Sequence, residues 1–421
     1  VKPQQRPNRY SALKGAEDIL SPDVYVWQRL EDAARSVFGA YGFEEIRAPI
    51  IERTELFLRG IGETTDIVEK EMYTFTDKGG RSVTMRPEGT APVVRAYVEH
   101  SLYSRPSPQK FFYSGPMFRY ERPQKGRQRQ FYQIGVEAFG VAEPKMDAEV
   151  IMMLLKYLEE IGLAGSLKLE LNSIGCENCR PVYRDRLRDF FGDRINEFCP
   201  DCLRRYERNP LRILDCKVEL CVTLSKGAPV ITDTLCEDCK AHFEGLQRLL
   251  GMFEVPFSLN PLMVRGLDYY TRTTFEVTTE MLGAQKAVAA GGRYDRLVEE
   301  MGGPQTPAIG FAIGMERLSA LLKDTAGAPA PKVFMASLGE EASGRTLAAA
   351  IEMREKGVWV ELGYEGASLK SQLRKADRLG AEFVFIVGED ELRKGVFKWK
   401  NLKDGSSGES ALADIASCQF R

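Results

Sequence analysis

Along QFYQIGVEAF, residues 130–139, side chains alternate with period two. Phe131, Gln133, Gly135, Glu137 and Phe139 fall on one face of a predicted strand, and Tyr132, Ile134, Val136 and Ala138 on the other. Upstream the period changes. In SPDVYVWQRLEDAARSVFGAY, residues 21–41, Val24, Trp27, Leu30, Ala34, Val37 and Tyr41 recur at helical spacing, with Ser21 as the expected N-cap, Pro22 in the first turn and Gly42 as the stop. FEEIRAPIIE then reads as a strand with Pro49 at an edge or bulge. SVTMRP, KFFYSGPMFRY and RQFYQIGVEAFG add short strands around a helical APVVRAYVEHSL. Strands clustered without regular βαβ alternation predict a largely antiparallel sheet.

Residues 172–247 form a cysteine- and arginine-rich, mainly helical block, after which strand-like sequence resumes at LMVRGLDYYTRTTFEVTTE, so an insertion splits the sheet. TAGAPAPK, residues 325–332, is a linker. Beyond it, VFMASL, a helix near 342–355, VWVELG, a helix over SLKSQLRKADRLG, and AEFVFIVG predict a small α/β domain with a mainly parallel sheet. The expected domains are 1–171 and 248–324 (one α+β domain in two parts), 172–247 (insertion) and 333–421 (α/β).

A chain of 421 residues, 43% hydrophobic and 28% charged, is long enough for two or three cores and is not a disordered composition. Its formal charge of −2 means that any nucleic-acid contact must come from local basic patches. No apolar run approaches the roughly 18 residues of a membrane span, and the first residues lack a signal-type apolar core, so a cytoplasmic location is expected. Neither GxxxxGK[ST] nor GxGxxG occurs, which excludes the two commonest phosphate-binding turns.

The candidate chemistry lies between two strand-like runs. SGPMFRYERPQKGRQRQFYQIGVEAFG, residues 114–140, carries a loop with five Lys or Arg against one Glu, followed by Gln133 and Glu137 on one strand face. A hairpin brings Arg119 to the same floor. Guanidinium groups clamp phosphate or carboxylate oxygens, while Gln and Glu accept hydrogen bonds from an N–H-bearing group. Taken alone, this stretch is equally compatible with a solvated basic loop beside an amphipathic strand.

FRYERPQKGRQRQF resembles motif 2 of the class II aminoacyl-tRNA synthetases in its histidyl version. RGLDYYTRTTFE (265–276) and GGRYDRL (291–297) resemble the two histidine-specific signatures, GFAIGMERL (310–318) resembles motif 3, and RPEGTAPVVR (86–95) resembles the histidyl amino-acid loop. The resemblance spans essentially the whole chain and implies a class II antiparallel sheet with flanking helices, a mainly helical insertion and an anticodon-binding C-terminal α/β domain. It further implies activation of L-histidine by ATP with Mg²⁺, transfer to the histidine tRNA, and a homodimer formed through residues 22–53. By the same resemblance, Arg265 is the catalytic arginine and Arg119 contacts both the α-phosphate and the carboxylate. Glu121, Arg127 and Arg317 bind ATP. Glu88, Gly89 and Thr90 hold the amino group, and Gln133, Glu137, Tyr269, Tyr270 and Tyr294 surround the imidazole. Tyr132, where the family often has His, and Arg296, where Gly is common, are departures expected to lie off the pocket.

Two rivals are distinguishable. Histidyl-synthetase-like regulatory subunits of ATP phosphoribosyltransferase generally lack the terminal domain and depart at the catalytic signature, whereas this chain keeps Arg119, Arg265 and Arg317. A thiol oxidoreductase, suggested by CxxC alone, leaves the arginines unexplained. Eight of nine cysteines lie between 176 and 239, as Cys176-x2-Cys179, Cys199-x2-Cys202, Cys216-x4-Cys221 and Cys236-x2-Cys239. These spacings suit one or two tetrahedral zinc sites and equally suit reduced thiols in a small helical domain; spacing alone leaves both open.

Overall fold

The computed structural model describes residues 10–62, 65–124, 126–282, 286–322, 329–364 and 366–417. The chain divides into two compact units, Val1–Ala326 and Gly327–Arg421. Of the expected linker, residues 325–328 lie outside the described residues.

An eight-stranded sheet runs through the first unit in the order Glu44–Glu45, Gln109–Phe118, Gln130–Phe139, Ala308–Gly314, Ala287–Arg293, Thr271–Thr278, Lys168–Ser173, Ser258–Leu259. The six inner strands are antiparallel to their neighbours, and only the two-residue strands at the rims pair in parallel. Period-two alternation decides what each face does. Ile134, Val136 and Ala138 enter a core with Leu30 and Phe38 of helix Asp23–Ala40, Leu154 of helix Pro144–Glu160 and Leu246 of helix Glu237–Met252. Phe131, Gln133 and Glu137 point to the opposite face, which is left to the cavity described below.

The helix predicted from residue 21 begins at Asp23, and Ser21 is not its cap. Pro22 occupies that position with helical dihedrals, and no side chain caps it. Backbone carbonyls do the work instead, since Val24 N donates to Leu20 O at 3.0 Å and Tyr25 N to Pro22 O at 3.1 Å. The strand read over 43–52 is broken into Glu44–Glu45, in the large sheet, and Ile51–Arg53, in a three-stranded sheet with Ser82–Met85 and Tyr73–Thr76. Pro49, which has no N–H to give a ladder, sits in the break.

Both expected limits of the insertion fall inside elements. Asn172 belongs to strand Lys168–Ser173, and residue 247 lies within helix Glu237–Met252, whose Phe243, Leu246 and Leu250 pack under the main sheet. In the second unit, Val360–Leu362, Val333–Ser337 and Phe383–Val387 are parallel, as expected. Strands Val396–Asn401 and Ser407–Ala411 then add antiparallel, so the sheet is mixed rather than mainly parallel. A six-residue helix and a tight turn connect these strands, and neither provides the long crossover that parallel pairing requires.

Gly291 and Gly310 lie on adjacent strands where backbones close on one another. A Cβ at Gly291 would stand 2.3 Å from Gly310 O and 2.6 Å from the Phe275 ring. Gly291→Ala should therefore lower the urea midpoint of the first unit by the equivalent of roughly 1–3 kcal/mol, the usual cost of overpacking. An unchanged midpoint would show that the strands part without penalty.

Candidate active site

Five pieces of chain distant in sequence converge on a cavity of about 300 Å³ over the exposed face of the large sheet. Strand Gln130–Phe139 supplies Phe131, Gln133 and Glu137 as its floor. The turn into helix Thr90–Glu99 supplies Glu88 and Thr90, the loop before strand Thr271–Thr278 supplies Arg265, Tyr269 and Tyr270, and Tyr294 follows strand Ala287–Arg293. Arg119, Glu121 and Arg127 come from the basic hairpin, and Arg317 from the first turn of helix Met315–Leu322.

One end of the cavity is built around carboxylates. Glu88 is buried and accepts the N–H groups of Thr90 (2.7 Å) and Ala91 (2.8 Å), so it satisfies the free amides that start the helix. Burial pushes its pKa up, against the pull of those amides. Thr90 Oγ1 donates to Glu137 Oε1 at 2.7 Å, and the Tyr294 hydroxyl donates to Glu137 Oε2. Burial raises the Glu137 pKa to about 8, although both hydrogen bonds act to lower it. Room for this carboxylate exists because residue 310 has no side chain: a Cβ there would lie 2.0 Å from Glu137 Oε2.

The other end carries guanidinium groups. Arg119 Nε donates to Pro87 O at 2.8 Å, and its guanidinium lies 5.2 Å from the centroid of the Phe131 ring. Arg127 pairs with Glu121 in a tight turn closed by Gln124 N to Arg127 O at 3.0 Å. Arg317 donates to Ala287 O at 2.5 Å and to Gly126 O at 3.5 Å, which links the hairpin loop to the cavity rim. Burial and then the charge of Arg127 lower the Arg317 pKa, the environment in which an added anion is most stabilising. Between the two ends, Arg265 pairs with Glu276 and lies 5.5 Å from the Tyr270 ring centroid. Arg265 Nε and Gln133 Oε1 are buried and have no hydrogen-bond partner among the described residues. A buried donor and a buried acceptor left open on one cavity are places for ligand atoms.

Every residue expected to bind histidine or ATP lines this cavity except Gly89, and none of the eight cysteines does. Gly89 occupies the N-cap of helix Thr90–Glu99, where a Cβ would lie 2.2 Å from the Tyr113 ring, so its role is to let that ring pass. Tyr132 turns to the opposite face and meets Trp27 edge-on at 5.0 Å. Arg296 pairs with Glu177 and Glu300 away from the floor. Among the wall residues that sequence reasoning missed are Tyr113, Glu276 and Glu316. Glu316 accepts the Tyr132 backbone N–H at 2.8 Å, and burial raises its pKa to about 7. Glu276, in strand Thr271–Thr278, and Glu316, in the first turn of helix Met315–Leu322, stand inside the stretches RGLDYYTRTTFE and GFAIGMERL, and their place within those stretches was the available signal.

A family model described as histidyl-tRNA synthetase matches residues 15–176 and 222–318. The chain belongs to the histidyl-tRNA synthetase family. As a member it is an aminoacyl-tRNA ligase. The match passes over 177–221, inside the insertion, and a second model, described as an anticodon binding domain, matches 332–418. The histidine–tRNA ligase of Thermodesulfovibrio yellowstonii is 56% identical over 413 residues, covering 97% of each chain. The crystal structure of apo S. aureus histidyl-tRNA synthetase superposes with a TM-score of 0.82 at 36% identity, covering 97% of this chain and 99% of that one. A Bacillus halodurans structure described as an ATP phosphoribosyltransferase regulatory subunit/histidyl-tRNA synthetase shares 20% identity and a TM-score of 0.67, a likeness of fold alone. The ligase reading stands over the regulatory one.

The Glu137 carboxyl sets a pH dependence. An unfolded chain releases this proton near pH 4.5, whereas the folded apo protein holds it to about pH 8. The stabilisation is therefore complete below about 4.5 and is lost as pH rises through 8. Glu137→Gln should flatten the fall in melting temperature of the apo protein between pH 5 and pH 8. Equal falls in both proteins would mean that Glu137 is ionised throughout.

Proposed function

We propose that this cavity joins L-histidine to ATP, which enters as its Mg²⁺ complex, and then passes histidine to its tRNA. A histidine carboxylate oxygen attacks the α-phosphorus, the bond to the bridging oxygen breaks, and pyrophosphate leaves. Two anions must approach each other, so the barrier is largely electrostatic. Arg119 bridges carboxylate and α-phosphate. Arg265, its Nη1 held by Glu276 and its Nε open, meets the charge that grows on the α-phosphate. Arg317, with Glu121 and Arg127, binds the far end of ATP.

Histidine takes the other end. Glu88 and Thr90 hold the α-amino group, while Gln133, Glu137, Tyr269, Tyr270 and Tyr294 enclose the imidazole. A site whose buried polar groups await specific partners penalises amino acids that leave them unpaired. The observation that carries the reading is the open Gln133 Oε1 on the same strand face as Glu137, in a cavity that also carries Arg119, Arg127 and Arg317.

The remaining assignments rest on the family. Residues 333–421 form the anticodon-arm domain, supported by the basic face of helix Leu369–Arg378, on which Lys370, Arg374, Lys375 and Arg378 are exposed. Phosphate contacts from such a face position RNA and make binding salt-dependent. Homodimerisation through residues 22–53 is supported by Ile50 and Ile51, both exposed. Use of tRNA supports a cytoplasmic location; no helix among the described residues is long and apolar enough to cross a membrane.

ATP–pyrophosphate exchange should depend on histidine and on no other common amino acid. Arg265→Ala should lower its kcat about 10²–10³-fold while changing the histidine KM little, as for loss of a donor used in the transition state. Unchanged kcat would remove Arg265 from the chemistry.

Truncation after Asp324, a position outside the described residues, should leave much of the exchange intact and sharply weaken charging of tRNA. The second unit has its own core, in which Val333, Phe385 and Phe397 pack with one another. A truncated chain that charges tRNA as well as the intact one at the same salt would sink the anticodon assignment.

A further inference from the structure

Two groups of four thiols lie in the insertion: Cys176, Cys179, Cys236 and Cys239 at its neck, and Cys199, Cys202, Cys216 and Cys221 at its far end. Within each group the sulfur atoms all lie within 4.8 Å of one another. Cys176 Sγ is 3.6 Å from Cys179 Sγ and 3.8 Å from Cys236 Sγ, and Cys199 Sγ is 3.9 Å from Cys216 Sγ. A disulfide holds its sulfurs about 2.05 Å apart. A tetrahedral ion with Zn–S bonds of about 2.3 Å has S···S edges of about 3.8 Å. The observed spacings match the edge of that tetrahedron, and the thiols come as sets of four rather than as pairs.

The surrounding backbone is arranged for thiolates. Cys199 and Cys236 are the N-caps of helices Pro200–Arg208 and Glu237–Met252, and their CxxC partners Cys202 and Cys239 lie in the first turns, at the positive ends of the helices. Cys236 N–H donates to Cys179 Sγ at 3.1 Å, and Cys199 N–H to Cys221 Sγ at 3.3 Å, so each knuckle already presents an amide to a sulfur. Cys179 and Cys239 in the first group and Cys202, Cys216 and Cys221 in the second are buried, and the other members are half-buried, which shields each centre from solvent. Cys179, Cys199, Cys202, Cys216 and Cys221 fall in the segment that the family match passes over.

We propose that the insertion holds two separate tetrathiolate zinc centres, and that the far one positions the active-site wall. The neck centre joins residues some sixty positions apart where the insertion leaves and re-enters the sheet domain. The far centre brackets three arginines that grip the catalytic domain. Arg205 pairs with Asp66 at 3.0 Å and Arg208 with Glu69 at 2.8 Å. Arg212 donates to Gly266 O at 2.9 Å and to Asp268 Oδ1 at 3.0 Å. Gly266 and Asp268 lie between Arg265 and Tyr269 in sequence. Arg212 is thus a positioning residue for the loop that carries the proposed catalytic arginine. Binding of each ion joins four thiolates to Zn²⁺ with release of their protons and no change of oxidation state.

Full-length protein purified without chelator should carry about two zinc ions per chain. Cys236→Ser and Cys216→Ser should each keep one. Should either variant fold poorly, wild-type protein exchanged into Co²⁺ should show the visible bands of tetrahedral cobalt–thiolate at about two ions per chain. Zinc-free protein that takes up neither ion and leaves all eight thiols open to alkylation, or a folded single variant that loses both ions, would overturn the two-centre proposal. The clamp rests on the ligase reading, and metal content is measured without it. Arg212→Ala should keep both ions and lower the kcat of exchange about tenfold to a hundredfold, as small misplacements of a catalytic group do. An unchanged kcat with full zinc content would overturn the clamp alone.

Discussion

A carboxyl group buried at the centre of an eight-stranded sheet is the constraint around which the first unit is organised. Glu137 is 1% exposed, and burying an uncompensated carboxylate is costly. Its two oxygens are therefore met by Thr90 from a helix start and by Tyr294 from the end of another strand, while Gly310 next door gives up its side chain to leave room. Satisfying this one group fixes three elements relative to the floor strand, and the cavity is the space they enclose.

A second buried charge holds the frame from below. Arg293 is fully buried, donates to Asp147 Oδ1 at 2.7 Å and to the carbonyls of Val141 and Glu143 at 3.0 Å each, and so ties the strand end to helix Pro144–Glu160. Successive residues of an extended chain face opposite ways, so anchoring Arg293 on one side presents Tyr294 to Glu137 on the other. Glu88 and Glu137, whose pKa values burial raises, stand with phenols at one end of the cavity, and Arg119, Arg127 and Arg317 at the other.

Among the described residues the insertion extends the plan without lining the cavity. Arginines of the insertion reach the loop beside Arg265, and the second unit keeps its own core of Val333, Phe385 and Phe397. A reaction site bounded by one sheet can in this way be tuned from outside it.

The sequence by itself determined the alternation that sends Gln133 and Glu137 to one face and Tyr132 to the other, the antiparallel character of the main sheet, and the motifs from which the family was legible. These are local properties, set by a side-chain period of two and by residues within a few positions of one another. It did not show that Ser21 leaves the capping of its helix to backbone carbonyls, that strands after residue 395 turn the terminal sheet mixed, or that Glu316 accepts the Tyr132 amide across 184 positions. Nor could CxxC spacing say which cysteines meet. Only the tertiary structure joins Cys176 to Cys236 and Cys199 to Cys216, because such partners are chosen by how distant segments pack, and no local pattern encodes that distance.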